Sequence, residues 1–230
     1  MTDPAIATEA PLHAEFLREP WDGLGLPQEE ALSYQRFGAT FGIWIFIASE
    51  VLFFGALFLF YAAVRAEHAE AFATAARETN IVYGTLNTAI LLTSGLSAAA
   101  ASLASEHVPL RRLTQWCLVA TATLGLAFLA VKGMEYRDDI AEHLVPGRGF
   151  KLPEPSAQLF FGFYWLSTGI HGVHLTVGIG LVARLIWIGW RHPERLPGNP
   201  QVEVTMLYWG FVDMVWLFLY PALYLVGRPG

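Results

Sequence analysis

The chain has 230 residues, of which 54% are hydrophobic and only 15% are charged, and it contains eight Trp and sixteen Phe. This composition departs from that of soluble domains and indicates a protein that folds in lipid. The net charge of −6 argues against a nucleic-acid partner, because such a partner is bound by a basic surface.

Residues 1–40 precede the first long apolar stretch and are rich in Pro, Glu and Asp, with Arg18 and Arg36 as their only Lys or Arg residues. They lack the basic segment and the short apolar segment of a signal peptide. We expect a soluble, partly disordered arm, separate from a transmembrane domain at 41–230. Contact with a partner subunit and plain solvation are equally open as its role.

Five apolar stretches follow, each long enough, at about 1.5 Å per residue, to cross a hydrocarbon core of roughly 30 Å. Because the bilayer offers no water to backbone amides, such stretches form helices. The sequence therefore predicts an all-α bundle of five transmembrane helices. The predicted spans are 41–64, 82–103, 113–131, 160–187 and 204–226.

The segment 136–156 separates the third and fourth spans and carries three Pro and two Gly residues. This density of helix breakers excludes a continuous helix and predicts either a structured cap or a mobile lid.

Ionisable residues inside the spans carry the functional signal, because a charge at bilayer depth costs at least about 3 kcal/mol. Glu50 lies near the middle of the first span. It is interpreted as a proton-handling or lipid-headgroup site, with a protonated acid bonded to a neighbouring helix as the alternative. Asp213 lies near the middle of the last span, where a hydrogen bond to a His or Tyr of an adjacent helix is the favoured interpretation.

His171 and His174 are three residues apart in the fourth span, so both rings lie on nearly one helical face. A shared metal would need further ligands, and the other spans offer no second histidine at depth. Interhelical hydrogen bonding is therefore favoured over a metal site. Lys132 and Glu135 lie just past the third span, where both charges can reach the membrane interface as an anchor.

Four blocks of the chain, in order, resemble subunit III of the cytochrome c oxidases. They touch four of the five spans and cover most of the chain from residue 41 onward. The blocks are 47–54 (IASEVLFF), 135–136 (EY), 168–174 (TGIHGVH), and Glu203 followed by 208–218 (YWGFVDMVWLF).

The resemblance implies an all-helical subunit that binds no haem or copper of its own and packs beside subunit I, which holds the oxygen-reducing centre. Haem and copper are expected in the partner subunits, with subunit II and a small subunit IV completing the complex. The resemblance places Glu50 in a lipid-lined region near subunit I, in a subunit that sustains proton uptake, binds structural phospholipid and protects against inactivation during turnover. It also implies a buried polar network formed by Glu135, His171, His174, Glu203 and Asp213.

Two departures from the family pattern stand out. The usual seven-helix form has two further N-terminal helices, and the five-helix form is typical of bacterial plasma membranes. Gly210 stands where the family has a histidine, so Asp213 is expected to lack its usual partner.

Subunit III of a ubiquinol oxidase and the homologous subunit associated with nitric oxide reductase are alternatives within the same architecture. Glu50 favours the cytochrome c branch, whereas the sequence Leu219, Tyr220, Pro221 is similar to the nitric oxide reductase homologue. A stand-alone proton-coupled transporter and a structural assembly factor are hypotheses of other classes. Five spans divide poorly into the two matching halves that many transporters have.

The orientation in the membrane rests on the placement of basic residues, because the total Lys and Arg count is seven on each side. Compact loops weigh more in the positive-inside rule. Arg111 and Arg112 in a tight turn, with Arg191 and Arg195 after the fourth span, place the N-terminus in the cytoplasm and the C-terminus in the periplasm.

Overall fold

The computed structural model describes residues 28–193 and 196–228 of the chain. Within these ranges the chain is helical throughout, with short connections and no strand. A 3₁₀ turn at Val108–Leu110 precedes the fourth helix, and a π-helical turn at Pro221–Leu225 follows the last. The helices are α1 (Gln28–Glu67), α2 (Ala69–Glu78), α3 (Ile81–Ser105), α4 (Arg111–Ala141), α5 (Pro155–Arg191) and α6 (Pro200–Tyr220).

Five segments are long and apolar enough to cross a membrane, which confirms the predicted fold class and the number of spans. Every segment begins earlier or ends later than the apolar stretch that predicted it, because backbone hydrogen bonding continues beyond the hydrophobic side chains. The segments are Phe37–Glu67, Ile81–Ser105, Val108–Ala141, Pro155–Arg191 and Pro200–Leu225.

The first helix begins at Gln28, so the last part of the predicted N-terminal arm is helical. Residues 1–27 of that arm lie outside the described residues. From Gln28 to Glu67 the helix has 40 residues, which is about 60 Å at 1.5 Å per residue and exceeds the thickness of a bilayer. Its N-terminal portion therefore extends past the hydrocarbon core.

The helix break predicted near 136–156 lies between Ala141 and Pro155. Side-chain contacts hold this loop against the helices near both of its ends. Lys151 Nζ contacts Glu78 of α2 at 2.6 Å and Glu142 at 3.3 Å, and the buried Leu144 accepts a hydrogen bond from the Trp165 indole at 3.2 Å. The hydrogen bond to Glu78 raises the pKa of Lys151, so this lysine stays charged. These contacts are those of a packed cap.

Helix α6 is the central element of the bundle, whereas α1 is peripheral. In the most apolar stretch of α6, 61% of the residues are buried against the rest of the chain. In the most apolar stretch of α1, only 6% are buried. A narrow aromatic seam attaches α1: Phe54 packs on Phe211 at 6.1 Å between ring centroids, and Tyr61 packs on Phe163 at 4.6 Å. Most of the α1 surface is left for lipid or another protein.

The π-helical turn after α6 is held by side chains from the first half of the chain. Tyr61 donates to the Ala222 carbonyl at 2.5 Å, and Thr79 donates to the Leu223 carbonyl at 3.2 Å. Arg228 donates to the Thr79 and Ala76 carbonyls in return. These bonds fix the C-terminal turn and direct Tyr224 into the interior of the bundle.

Gly125 allows α4 to approach α6 closely. A Cβ at this position would lie 2.7 Å from the ring of Trp209, a fully buried side chain in α6. Gly133, two turns further along the same helix, has no atom within 4 Å of such a Cβ.

We predict that Gly125→Ala destabilises the bundle by about 1–3 kcal/mol, because the added methyl overpacks against Trp209. Gly133→Ala is the matched control and is expected to be neutral or slightly stabilising, because alanine is the better helix former. The midpoint of detergent-induced unfolding measures both variants. Equal midpoints would contradict the packing described here.

Candidate functional site

Glu50 of α1 and His174 of α5 form an acid–base pair near the middle of their helices. Glu50 Oε2 lies 3.2 Å from His174 Nε2, and about four fifths of each side chain is buried. The other ring nitrogen, Nδ1, lies 2.9 Å from the Ile170 carbonyl one turn earlier in α5. The sequence named both residues, and the structure brings them together.

The hydrogen bond to Ile170 determines which ring nitrogen of His174 faces Glu50. A carbonyl oxygen only accepts, so His174 Nδ1 carries hydrogen and Nε2 faces the Glu50 carboxyl. A proton placed between Nε2 and the carboxyl would give the pair zero net charge, whether it resided on the nitrogen or on the oxygen.

Aromatic side chains surround the Glu50–His174 pair. The edge of Phe54 meets the His174 ring at 5.4 Å between centroids, and Tyr208 of α6 donates to the His174 carbonyl at 3.0 Å. Phe46 packs against Tyr208 at 5.9 Å. An apolar wall of this kind strengthens the electrostatic coupling within the pair, because the local dielectric constant is low.

His171 contacts α4 and α6, whereas His174 contacts α1, so the two rings do not join in one site. Its ring lies between Phe128 of α4, at 5.5 Å, and Trp216 of α6, at 5.2 Å, and it is 1% exposed. Neither ring nitrogen has a hydrogen-bond partner among the described residues. His171 thus lacks the interhelical hydrogen bond expected for the His pair, whereas His174 meets Glu50 of α1 at 3.2 Å. In the described part of the chain, no group of three or more His, Cys, Asp or Glu side chains lies in reach of a common metal.

The hydrogen bond predicted for Asp213 to a His or Tyr is wrong. This carboxyl is buried in α6, and both of its oxygens lack a hydrogen-bond partner within the described ranges. It lies against Gly95 of α3, where a Cβ would collide with Oδ2. Gly210 is exposed on α6, with no atom within 4 Å of its missing Cβ.

The placement of Glu203 in the buried polar network is also wrong. Glu203 is exposed in the first turn of α6, just after Asn199, whose side chain caps the helix by accepting from Gln201 N–H at 2.9 Å. An acidic residue is stabilising here, because the N-terminal end of a helix carries partial positive charge.

Lys132 and Glu135 are buried, so their predicted role as an interfacial anchor is wrong. Lys132 is 5% exposed and Glu135 is 1% exposed, because α4 continues as a packed helix for ten residues past the predicted span. Lys132 Nζ donates to Glu135 Oε2 at 3.0 Å, to Tyr164 OH at 2.9 Å and to Tyr224 OH at 2.8 Å. All three ammonium hydrogens therefore have partners inside the chain.

Two phenols and a second carboxylate complete this cluster. Tyr224 donates to Glu135 Oε1 at 2.6 Å, and Tyr164 OH lies 2.6 Å from Asp139 Oδ2 and 3.0 Å from Glu135 Oε1. Sequence reasoning missed Asp139, Tyr164 and Tyr224. The spacing of 132, 135 and 139 on one face of α4 is the signal that points to such a cluster.

The fold defines a class of protein: a multi-span helical membrane protein that carries two clusters of polar and ionisable side chains between its helices. A sequence profile of the family described as "Cytochrome c oxidase subunit III" matches residues 30–228, nearly the whole described chain. This chain belongs to the cytochrome c oxidase subunit III family.

Individual relatives agree with that membership. Cytochrome c oxidase subunit 3 of Thermostichus vulcanus is 31% identical over 189 residues, covering 81% of this chain and 87% of the relative. The Bacillus subtilis (strain 168) protein of the same name is 30% identical over 190 residues, covering 82% and 86%. The cytochrome bo(3) ubiquinol oxidase subunit 3 of Buchnera aphidicola is 26% identical over 196 residues, covering 84% and 96%.

We predict that Lys132→Met lowers the free energy of unfolding by about 3–5 kcal/mol, because it leaves the Glu135 carboxylate buried without a cation. Lys151→Met is the matched control on an exposed lysine and is expected to cost no more than about 1 kcal/mol. Detergent-induced unfolding of the three proteins measures the difference.

The double variant Lys132→Met/Glu135→Gln removes both charges and is expected to recover most of the lost stability. Comparable losses in Lys132→Met and Lys151→Met would show that the buried ion pair is not a major stabilising contact.

Proposed function

We propose that this chain is the non-redox subunit III of a bacterial haem-copper terminal oxidase, in which oxygen is reduced to water and protons are pumped. Its role is to sustain proton uptake by the catalytic subunit I and to stabilise that subunit. Family membership supports the place in the complex. The observation that carries the role is the Glu50–His174 pair, in which an acid faces a base at 3.2 Å near the middle of both helices.

The pair is suited to pass a proton to a neighbour because it is not sealed inside the bundle. About one fifth of each side chain is exposed, and the exposed part lies at the periphery, where α1 meets α5. Moving the shared proton between Glu50 and His174 leaves the net charge at zero, so the transfer avoids placing an unpaired ion in lipid. A subunit docked over α1 would contact this position directly.

Subunit I is the proposed direct partner, with subunit II and a small subunit IV in the same complex. The outer surface of α1 is the proposed docking face, because this helix buries so little of itself against its own chain. Exposed aromatic and aliphatic side chains, such as Trp44, Leu52 and Leu59, cover that surface. Structural phospholipid is proposed to fill the parts of the surface that subunit I leaves open.

The chain is proposed to bind no haem or copper, which reside in the partner subunits. The electron donor is a property of those subunits, and the relatives include one named for cytochrome c and one named for ubiquinol. A bacterial plasma membrane with the N-terminus in the cytoplasm is the proposed setting. The bacterial relatives and the arginines of the 111–112 turn support it.

The test is Glu50→Gln in the purified complex. Glutamine keeps the size of the side chain and a hydrogen bond to His174, but it removes the transferable proton. We expect normal assembly, slower steady-state oxygen consumption, slower proton uptake measured with a pH-indicator dye, and faster inactivation during turnover.

Glu203→Gln is the matched control, because Glu203 belongs to the same family pattern and is exposed in the first turn of α6. It is expected to behave as the wild type does. Unchanged proton uptake and lifetime in Glu50→Gln would reject the proton role and leave a purely structural subunit. Lost proton flux through the isolated chain in vesicles would instead favour a transporter.

A further inference from the structure

The polar cluster around Lys132 has one carboxylate more than it has cations. The charge of Lys132 is balanced by Glu135, its partner at 3.0 Å. Asp139, one turn further along α4 and 5% exposed, has no cation among its hydrogen-bond partners in the described residues. Asp139 is thus the group whose ionisation changes the net charge of the cluster.

The phenol of Tyr164 lies between the two carboxyl groups and has a single hydrogen to donate. Glu135 already accepts from Tyr224 at Oε1 and from Lys132 at Oε2. When Asp139 is ionised, the Tyr164 hydrogen therefore points to Asp139 Oδ2, at the shorter distance of 2.6 Å against 3.0 Å to Glu135 Oε1.

Asp139 also lies on the side of the cluster that is nearest to the loop after α4. It is two residues from the end of α4, and Leu144 of the following loop donates to its main-chain carbonyl at 2.9 Å. Glu142 of that loop acts on it electrostatically and is itself paired with the half-exposed Lys151 at 3.3 Å. Glu135 lies deeper in the bundle, so Tyr164 connects an edge group to an interior group.

The other ionisable groups that face Asp139 do not change the excess of one carboxylate over the cations in the cluster. From its own helix these are Lys132 and Glu135, and the remaining phenols nearby are Tyr136 and Tyr224. Tyr136 OH is hydrogen-bonded to Thr168 of α5 at 2.6 Å and does not reach either carboxyl group.

We infer that Asp139, Tyr164 and Glu135 form a proton-exchange site, in which Asp139 takes a proton from the aqueous edge and Tyr164 relays it to Glu135. The proton on Asp139 Oδ2 moves to the Tyr164 oxygen while the phenolic hydrogen of Tyr164 moves to Glu135 Oε1. One O–H bond breaks and one forms at the phenol, which is a neutral phenol before and after. The site is separate from the Glu50–His174 pair and does not depend on the role proposed for that pair.

The relay is tested by pH-difference infrared spectroscopy of the full-length chain in its purified complex, recorded in H₂O and in D₂O. On acidification the wild type is expected to gain the carboxyl band of Asp139, together with a change in a tyrosine band and a shift of Glu135 absorption from its carboxylate band toward its carboxyl band. Asp139→Asn should lose all three signals. The double variant Lys132→Met/Glu135→Gln assigns the Glu135 band, because it removes both members of the ion pair together.

Tyr164→Phe is the decisive variant, because it removes the connecting hydroxyl and leaves both carboxyl groups in place. It should keep the Asp139 band and lose both the tyrosine signal and the Glu135 shift. Tyr224→Phe is the matched control, since it removes a phenol of the same cluster that bonds Glu135 but lies outside the line from Asp139; all three signals should persist.

Two results would overturn the inference. The first is a wild-type spectrum in which no carboxyl band depends on Asp139. The second is a Glu135 shift that survives in Tyr164→Phe. Since the second result does not require Asp139→Asn to fold, the test stands if that variant is lost.

Discussion

Lys132 carries a positive charge inside a helix bundle that lipid surrounds, and the bundle must supply every partner for it. A buried ammonium group without partners would be far too costly, because the membrane interior offers neither water nor counter-ions. The partners come from three places: Glu135 in α4, Tyr164 in α5 and Tyr224 in the turn after α6. One side chain thus ties together three spans.

The need for partners to Lys132 also explains why side chains from other parts of the chain hold the C-terminal turn in place. Tyr224 reaches Lys132 only if the π-helical turn holds its shape, and that turn exposes carbonyl groups that a regular helix would satisfy. Tyr61 of α1 and Thr79, which links α2 to α3, supply the missing donors. The buried charge therefore constrains α1, α2 and α3 indirectly, although none of them touches it.

The two polar clusters share a principle and differ in their surroundings. Both combine an acid with a base so that the net charge stays small, which is how a bilayer protein retains ionisable groups at tolerable cost. The Glu50–His174 pair is about one fifth exposed and lies on the peripheral helix α1, whereas the Lys132 cluster is buried and ends close to the loop after α4. We propose that the first arrangement serves exchange with a partner subunit and the second exchange with water.

Hydropathy was sufficient to predict the five spans and the all-α class, because lipid enforces helix formation over any long apolar stretch. It was insufficient at the helix ends, since α4 continues past its apolar stretch and buries Lys132 and Glu135 where an interfacial anchor was expected. The family pattern pointed to Glu203 and Asp213 but did not predict their surroundings. Glu203 is exposed in the first turn of α6, and Asp213 lies against Gly95. Which helices meet, and so which side chains pair, depends on tertiary packing that one sequence does not encode locally.

We propose that the electrons travel in other subunits of the complex and that this chain supports proton uptake. Purification of the tagged chain from its native membrane in mild detergent, followed by the visible spectrum, metal content and polypeptide composition, tests this division of labour. We expect haem, copper and a large subunit I to co-purify, and we expect this chain to be colourless once it is dissociated from them. A chain that retains metal by itself, or that arrives alone from membranes whose oxidase is intact, would contradict the account.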